Sequence, residues 1–251
     1  AKSFDLAFRE FAMSAYTIIF APIAQATRSE QVVERLENAI ISGLLKSNEQ
    51  LPNEADLARL MGVSPITVRE ALNTLRVKGL IDTRRGRNGG SFVCELPSDL
   101  LLNQHPLRQA SNEYLADLGE FHSAILSHSA YLAAQRTTEY ELNKIKELID
   151  QFKQAVEADT RAQLDLRCLL TLTSFAQSSR LANQELTIQA EWAPLIAVLY
   201  QDDDFHREVV KQYHHLLSSF IDNNENEAVI QARKIVSMLT DQMLRYKLSS
   251  E

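Results

Sequence analysis

The sequence predicts a mainly α-helical protein with two domains: a small N-terminal domain of three helices and a β-hairpin, and a larger all-helical C-terminal domain. Apolar residues recur at helical spacing over most of the chain, whereas strand-like segments occur only between residues 80 and 93. A length of 251 residues, of which 45% are hydrophobic, is sufficient for two separate hydrophobic cores.

The distribution of charge differs sharply between the two halves. The net charge is −7, yet residues 28–94 carry ten basic and eight acidic side chains, against fourteen and twenty-three in residues 95–251. A basic segment on an acidic chain favours a nucleic-acid partner, although it is also typical of a solvated face. The sequence has no run of eighteen apolar residues, no signal peptide and no paired cysteines, so we expect a reduced, cytoplasmic protein that does not enter a membrane.

Two segments fall outside the predicted domains. Residues 1–27 form an N-terminal extension rich in apolar residues, and either a helix packed on a partner subunit or a vector-derived remnant explains it. Residues 95–112, with two prolines and several polar side chains, are predicted to be a linker between residues 28–94 and residues 113–251.

Capping residues divide the first domain into its helices. A first amphipathic helix ends near residues 43–45, and a second begins after Asn53 and ends at Gly62. Ser64 caps a third helix, Pro65 occupies its first position and Gly79 ends it. Residues 80–83 and 91–93 then form the strands of a hairpin around a glycine-rich turn.

This order of elements is that of a winged helix-turn-helix, which binds DNA with its third helix and its hairpin, the wing. The alternative is an ordinary small helical domain with a hairpin. The position of the polar and basic side chains favours a DNA-binding domain over this alternative, because these side chains lie off the apolar stripe of the third helix and at the tip of the wing. The predicted DNA-binding residues are Ser64, Thr67, Arg69, Asn73, Arg76, Arg84, Arg85, Gly86 and Arg87.

Six helical patterns follow, and they predict an all-α bundle. Their spans are 113–136, 138–158, 160–176, 178–200, 203–222 and 225–248. Thr138 with Glu141 forms a predicted capping box, and Asp159 and Asp203 mark two further helix starts.

The first domain strongly resembles the N-terminal domain of GntR-family bacterial regulators. The resemblance rests on residues 51–58 (LPNEADLA), 62–64 (GVS), 67–72 (TVREAL), 79–81 (GLI) and 84–93 (RRGRNGGSFV). It covers about seventy residues and several independent motifs. The helical domain looks like that of the FadR-type subgroup (an FCD-like domain), whose sensor is a bundle of six to seven helices.

The family's DNA contacts match Thr67 and Arg69 on the third helix and Arg85 and Gly86 on the wing. Ala55 and Pro65 stand where the family often has arginine. The resemblance therefore implies that Arg69 and the wing carry more of the base recognition than usual.

Many FadR-type sensors hold a metal with one Asp and three His, and the first two are an i, i+4 pair on one helix. The matching positions here are Asp165, Leu169, His214 (or His215) and Leu239. Because leucine has no lone pair to donate, we expect no metal and no other cofactor.

His122 matches the position of an arginine that meets the effector's carboxylate in the family. Helical spacing places His122, Asp165 and His214 on inward faces. We therefore predict a metal-free effector pocket formed by His122, Asp165, Leu169, His214 and Leu239. The alternative is that the two histidines are satisfied core residues and that Asp165 is a buried partner of one of them.

The sequence can be compared with three classes of function: a regulator, an enzyme and an interaction module. The favoured one is a homodimeric, ligand-responsive transcriptional regulator, a repressor or an activator, which binds double-stranded DNA with a palindromic operator. The resemblance implies a small organic acid or acyl compound as effector. An enzyme is disfavoured because no phosphate loop, nucleophile elbow or metal-protease motif is present. A helical protein-interaction module is the third class.

Overall fold

The N-terminal unit begins with an amphipathic helix. The computed structural model describes residues 28–86, 89–97 and 104–248. Helix α1 (Arg28–Ile41) buries Val32, Leu36 and Ile40. Helix α2 (Glu54–Met61) starts at its cap Asn53, whose side chain accepts from the Asp56 amide. The predicted extension, residues 1–27, lies outside the described residues.

The third helix has the predicted ends. In α3 (Pro65–Val77) the Ser64 hydroxyl accepts from the Thr67 amide at 3.1 Å, and Pro65 takes the first turn. Between α2 and α3, Gly62 has a φ of 65°, a left-handed conformation that glycine adopts without strain. Val68, Ala71, Leu72 and Leu75 are buried, so the opposite side of α3 faces solvent. The predicted stripe is thus confirmed.

A two-stranded antiparallel hairpin follows α3. Strand β1 (Ile81–Arg84) pairs with β2 (Gly90–Val93), with Ile81 opposite Val93. Gln50 forms a further bridge to Phe92. The three helices and the hairpin give the predicted winged helix-turn-helix.

The boundary between the two units falls between Gln109 and Ala110, inside the predicted linker. Within the predicted linker, residues 106–109 form a short helix, α4 (Pro106–Gln109). Proline is favoured in the first turn of a helix, where its missing N–H has no intrahelical acceptor to bond.

The second unit consists of helices joined by short turns. They are α5 (Asn112–Arg136), α6 (Glu139–Gln154), α7 (Ala158–Phe175), α8 (Ser179–Ile196), a 3-10 helix (Ala197–Gln201), α9 (Asp203–Ile221) and α10 (Glu225–Leu248). The all-α prediction is confirmed. No strand is found between residues 104 and 248. Of the described helices, none is long and apolar enough to cross a membrane.

Two of the predicted helix starts need correction. The capping box of Thr138 and Glu141 is present. However, α7 begins at Ala158 without any side-chain cap, so Asp159 lies in its first turn. The cap of α9 is Asp202 rather than Asp203, because the Asp202 carboxylate accepts from two amides of the first turn.

The predicted helix 178–200 also ends earlier than expected. Helix α8 ends at Ile196 and continues as the 3-10 helix. Pro194 lies inside α8 and has no N–H for an i to i−4 bond, which weakens the α-helical pattern at that point.

Helix α7 is the central helix of this unit. Its buried residues cover most of its circumference, which is typical of a helix surrounded by others. It packs against α5, α6, α8 and the 3-10 helix. A polar side chain in the middle of α7 therefore lies in the interior of the bundle, and Asp165 occupies this position.

Helices α5 and α10 approach each other closely at Gly119. A Cβ atom built on Gly119 would lie 2.6 Å from the Thr240 hydroxyl and 3.0 Å from its methyl carbon. A larger side chain at this position would force the two helices apart.

We expect Gly119→Leu to lower the free energy of unfolding by about 1–3 kcal/mol, because the added atoms overpack the contact with Thr240. Urea unfolding at constant pH measures the loss. The matched control is Ala124→Leu, which adds a leucine at an exposed position of the same helix. Equal losses in the two variants would contradict the close-approach explanation.

Candidate DNA interface and buried polar site

The solvent-facing side of α3 carries the predicted recognition residues. Arg69 and Asn73 are exposed, and Thr67 and Arg76 are half-buried beside them. The Ser64 and Thr67 hydroxyls lie 2.9 Å apart, and Arg76 donates to the Asn73 side chain. These side chains form the predicted DNA face together with the described wing residues Arg84, Arg85 and Gly86.

Arg69 is held by an ion pair within its own unit. Its guanidinium lies 2.9 Å from the Glu54 carboxylate at the start of α2, and its side chain remains 63% exposed. An exposed pair of this kind contributes little stability, so Arg69 can exchange Glu54 for a base edge or a phosphate at small cost. Glu54 was not predicted as part of the site, although it occurs in the LPNEADLA motif.

The wing presents its arginines in two different ways. Arg84 lies 4.3 Å from the centre of the Phe92 ring and donates to the Asn48 side chain at 2.8 Å. Arg85 and Gly86 are exposed at the tip. Arg84 therefore stabilises the wing through Phe92 and Asn48, whereas Arg85 is accessible to DNA. The remaining predicted contact, Arg87, lies outside the described residues.

The turn of the wing requires glycine at residue 89. A Cβ atom on Gly89 would lie 2.5 Å from the Arg84 carbonyl oxygen, which is too close for any side chain. The Gly89 carbonyl accepts from the Gln50 side chain at 3.1 Å, so the wing is anchored to the segment before α2. Backbone contacts thus set the position of the tip.

The interior of the helical unit contains a cluster of fully buried polar side chains. It is called the buried polar site and consists of His122, Asp165, Glu185, Gln189, Trp192, Tyr200 and Tyr213, each without solvent-accessible surface. They come from α5, α7, α8, the 3-10 helix and α9. Two of the five predicted pocket residues, His122 and Asp165, belong to it.

One half of the buried polar site is centred on Glu185. Its Oε1 lies 3.0 Å from His122 Nε2 and accepts from Gln189 Nε2 at 2.7 Å. The His122 ring also makes an edge contact with Trp192, with the ring centres 4.5 Å apart. Glu185 and Gln189 are spaced i, i+4 and therefore project from the same side of α8.

The other half is centred on Asp165. The Tyr213 hydroxyl donates to Asp165 Oδ1 at 2.6 Å. Burial raises the pKa of Asp165 to about 6, and the nearby Tyr213 and Tyr200 hydroxyls and His122 only partly oppose this shift. Tyr200 lies near Asp165 without making a hydrogen bond of acceptable geometry. Both hydroxyls have their own pKa raised well above 10, chiefly by burial.

Several polar atoms of this cluster are unsatisfied. Among the described residues, these buried atoms of the cluster have no hydrogen-bond partner: His122 Nδ1, Asp165 Oδ2, Glu185 Oε2, Gln189 Oε1, Trp192 Nε1 and the Tyr200 hydroxyl oxygen. Each such atom costs about 1–3 kcal/mol when it is removed from water without a partner. A group of unsatisfied atoms in one interior requires partners from outside the cluster, such as bound water, an ion or a ligand.

The structure corrects the predicted orientation of His214. This side chain is half-buried and His215 is exposed, whereas Tyr213 reaches Asp165. The buried stripe of α9 runs through Val209, Tyr213 and Phe220, and His214 lies one residue, or about 100°, around the helix from its centre. The predicted inward placement of Leu169 and Leu239 agrees with their complete burial.

Five members of the buried polar site were not predicted from the sequence: Glu185, Gln189, Trp192, Tyr200 and Tyr213. A usable signal was present in α8, where Glu185 and Gln189 share one helical stripe with Ala182, Trp192 and Ile196. Polar residues on an otherwise apolar stripe point into the core.

Two family models match the chain. The model described as bacterial regulatory proteins of the gntR family matches residues 28–93, and the FCD domain matches residues 117–237. The chain belongs to the GntR family. The family consists of transcriptional regulators and not of enzymes.

Relatives within the GntR family carry regulator names. RmpR of Mycobacterium gastri, named as an HTH-type transcriptional regulator, is 38% identical over 182 residues, which cover 70% of this chain and 66% of that protein. The Uxu operon regulator of Haemophilus influenzae is 26% identical over 212 residues, covering 79% and 75%. This chain therefore spans about two thirds of the length of RmpR.

A solved structure supports the fold. McbR/YncC of Escherichia coli aligns with a TM-score of 0.50 at 18% identity, covering 90% of this chain and 99% of that one. At this level of identity the likeness concerns architecture alone.

The GntR-family sensor described here does not fit the metal site that the resemblance implied. Asp165 Oδ1 is bound by a tyrosine hydroxyl, and Leu169 and Leu239 offer no ligand atom. Within residues 28–86, 89–97 and 104–248, no three His, Cys, Asp or Glu side chains are grouped so that they could hold a metal ion.

The raised pKa of Asp165 gives a pH-dependent prediction. Because this pKa is about 6 in the folded chain and ordinarily 3.8, the folded state holds an extra proton between these values. The free energy of unfolding therefore falls as the pH rises through this interval. Asp165→Asn removes the titration but keeps an acceptor for Tyr213, so we expect its stability relative to the wild type to grow by about 2 kcal/mol from pH 4 to pH 7.

Urea unfolding of both proteins at a series of pH values measures this difference. The control is Glu208→Gln, which removes a carboxylate that is 63% exposed on α9. It should leave the pH dependence of stability unchanged. A pH-independent difference between Asp165→Asn and the wild type would show that Asp165 does not titrate in this interval.

Proposed function

We propose that this GntR-family chain is a homodimeric transcriptional repressor that binds a palindromic operator and responds to a small-molecule effector in its helical unit. The observation that carries the proposal is that one chain holds both an exposed basic DNA face and an interior cluster of unsatisfied polar atoms. DNA binding on a bacterial nucleoid implies a cytoplasmic location.

The predicted DNA face supports sequence-specific binding. The polar side of α3 is of a size to enter the major groove, where Arg69 can donate to guanine and Asn73 can pair with adenine. The exposed wing residues Arg85 and Gly86 suit close approach to the phosphate backbone. A dimer would place two such faces on the two halves of a palindrome.

The contacts that hold the DNA face lie within the N-terminal unit. They are the caps of α2 and α3, the Arg69–Glu54 pair and the anchoring of the wing by Gln50. An effector in the helical unit would therefore act on the arrangement of two faces in a dimer, and a repressor released from its operator in this way is the simplest form of the proposal.

The buried polar site supports effector binding without a metal. Its unsatisfied donors and acceptors need partners, and its leucine neighbours cannot supply metal ligands. Of the effector classes implied by the resemblance, an anionic acid suits this site poorly, because it already contains two carboxylates and neither contacts an arginine or lysine among the described residues.

Substitution of two arginines tests the DNA-binding proposal. We expect Arg69→Ala to reduce the discrimination between an operator and a mutated operator, since Arg69 faces the base edges. Arg87→Ala should weaken binding to all sequences evenly and lower the salt dependence by about one counterion, since the wing contacts phosphates. Binding to DNA upstream of the protein's own gene, measured at several salt concentrations, supplies both quantities.

The control is Lys146→Ala, which removes a positive charge from an exposed position of α6. It should leave both affinity and salt dependence unchanged. Unaltered binding by both arginine variants would refute the predicted DNA face. A transcriptional reporter separates repressor from activator, because loss of a repressor raises expression and loss of an activator lowers it.

A further inference from the structure

Half of the unsatisfied atoms of the buried polar site are carboxyl or amide oxygens: Asp165 Oδ2, Glu185 Oε2 and Gln189 Oε1 all lack a donor among the described residues. The other three, His122 Nδ1, Trp192 Nε1 and the Tyr200 hydroxyl, belong to groups that can donate. The orientation of Gln189 follows from its contact, because its Nε2 already donates to Glu185 and its oxygen is left over. A ligand that satisfies this site must bring hydrogen-bond donors.

The charge of the buried polar site favours a ligand that is positively charged. It contains two carboxylates and one imidazole, so with either carboxylate ionised its net charge is zero or negative. The charged groups that act on the Asp165 carboxyl are His122 and Glu185. Arg161, a buried arginine of α7, is committed elsewhere, since it donates to the Ala155 and Tyr200 carbonyls and pairs with Asp203.

The remaining members of the site are aromatic. Trp192, Tyr200 and Tyr213 are fully buried, and aromatic faces attract cations that have lost their water. Leu169, one turn after Asp165 on α7, is apolar and fully buried, so it can contact only an apolar part of a ligand. An ammonium group carries one positive charge and three N–H donors, one for each of the unsatisfied oxygens of Asp165, Glu185 and Gln189.

We propose that the buried polar site binds a small primary ammonium compound, whose N–H donors pair with Asp165, Glu185 and Gln189. This inference rests on the proposed function, in which the helical unit binds the effector, and it replaces the organic acid implied by the family resemblance. The ammonium group would neutralise the Asp165 carboxylate, which contacts no arginine or lysine among the described residues. The short apolar body would lie among leucines and aromatic rings.

Fluorescence of the full chain offers a direct test. The protein contains one tryptophan, and it is Trp192 in the buried polar site. The probes are n-butylammonium chloride, sodium n-butyrate and butan-1-ol, which share a four-carbon body and differ in the charge of the head group. At constant pH and ionic strength, butylammonium should give a saturable change in Trp192 fluorescence and raise the melting temperature, whereas butyrate and butanol should not.

Two variants assign the response to the site. Asp165→Asn and Glu185→Gln should each weaken butylammonium binding by about tenfold or more, because each removes one charge-assisted hydrogen bond. The matched control is Glu208→Gln, an exposed acidic position of α9, which should bind as the wild type does. If one of the buried variants fails to fold, the comparison of the three probes on the wild type still decides the question.

Several results would overturn the inference. They are a saturable response to butyrate, an equal response to butanol, no response to butylammonium up to tens of millimolar, or a stoichiometric response to zinc chloride that Asp165→Asn abolishes. Operator binding by the same preparation distinguishes this failure from that of the proposed function. Intact operator binding with a silent amine refutes only the ligand class, whereas absent operator binding refutes the regulator itself.

Discussion

Two carboxylates are buried in the helical unit, and neither contacts an arginine or lysine among the described residues; the polar contacts around them follow from this constraint. Asp165 lies on the central helix α7, and Glu185 lies on α8 next to His122. Removing such groups from water is costly unless they are neutralised or hydrogen-bonded. Tyr213 and Gln189 supply some of the needed donors, and the remaining acceptors are the basis of the proposed amine site.

In the N-terminal unit, by contrast, the charged side chains of the predicted DNA face lie at the surface. Arg69 and Glu54 pair at the surface, where water lowers the strength of the interaction and exchange of partners is easy. Arg84 is stacked on Phe92 and bonded to Asn48, so one arginine shapes the wing and leaves its neighbour Arg85 exposed. The ionisable side chains of the predicted DNA face thus lie at the surface, whereas those of the buried polar site lie in the interior.

Local chemistry made much of the fold predictable. Asn53, Gly62, Ser64 and Pro65 each act on neighbouring backbone groups, and the structure places them as predicted. The buried polar site was only partly predictable, because Glu185 and Tyr213 meet their partners through tertiary packing that helical periodicity does not determine. On α9 the match to the family pointed to His214 or His215, whereas the buried stripe is centred on Tyr213. His122 and Asp165 were found because they occupy positions at which the family has an effector-binding arginine and a metal-binding aspartate.

The complete burial of the polar site limits the rate at which a ligand can enter or leave it. None of its seven side chains has any solvent-accessible surface, so a ligand enters only after the surrounding helices have opened. Motions of this kind take from microseconds to seconds, far longer than diffusion of a small molecule to the surface. At high effector concentration the rate of response would therefore reach a plateau set by the opening rate. A regulator of this design ignores pulses of effector shorter than its opening time and keeps its bound state after the concentration has fallen.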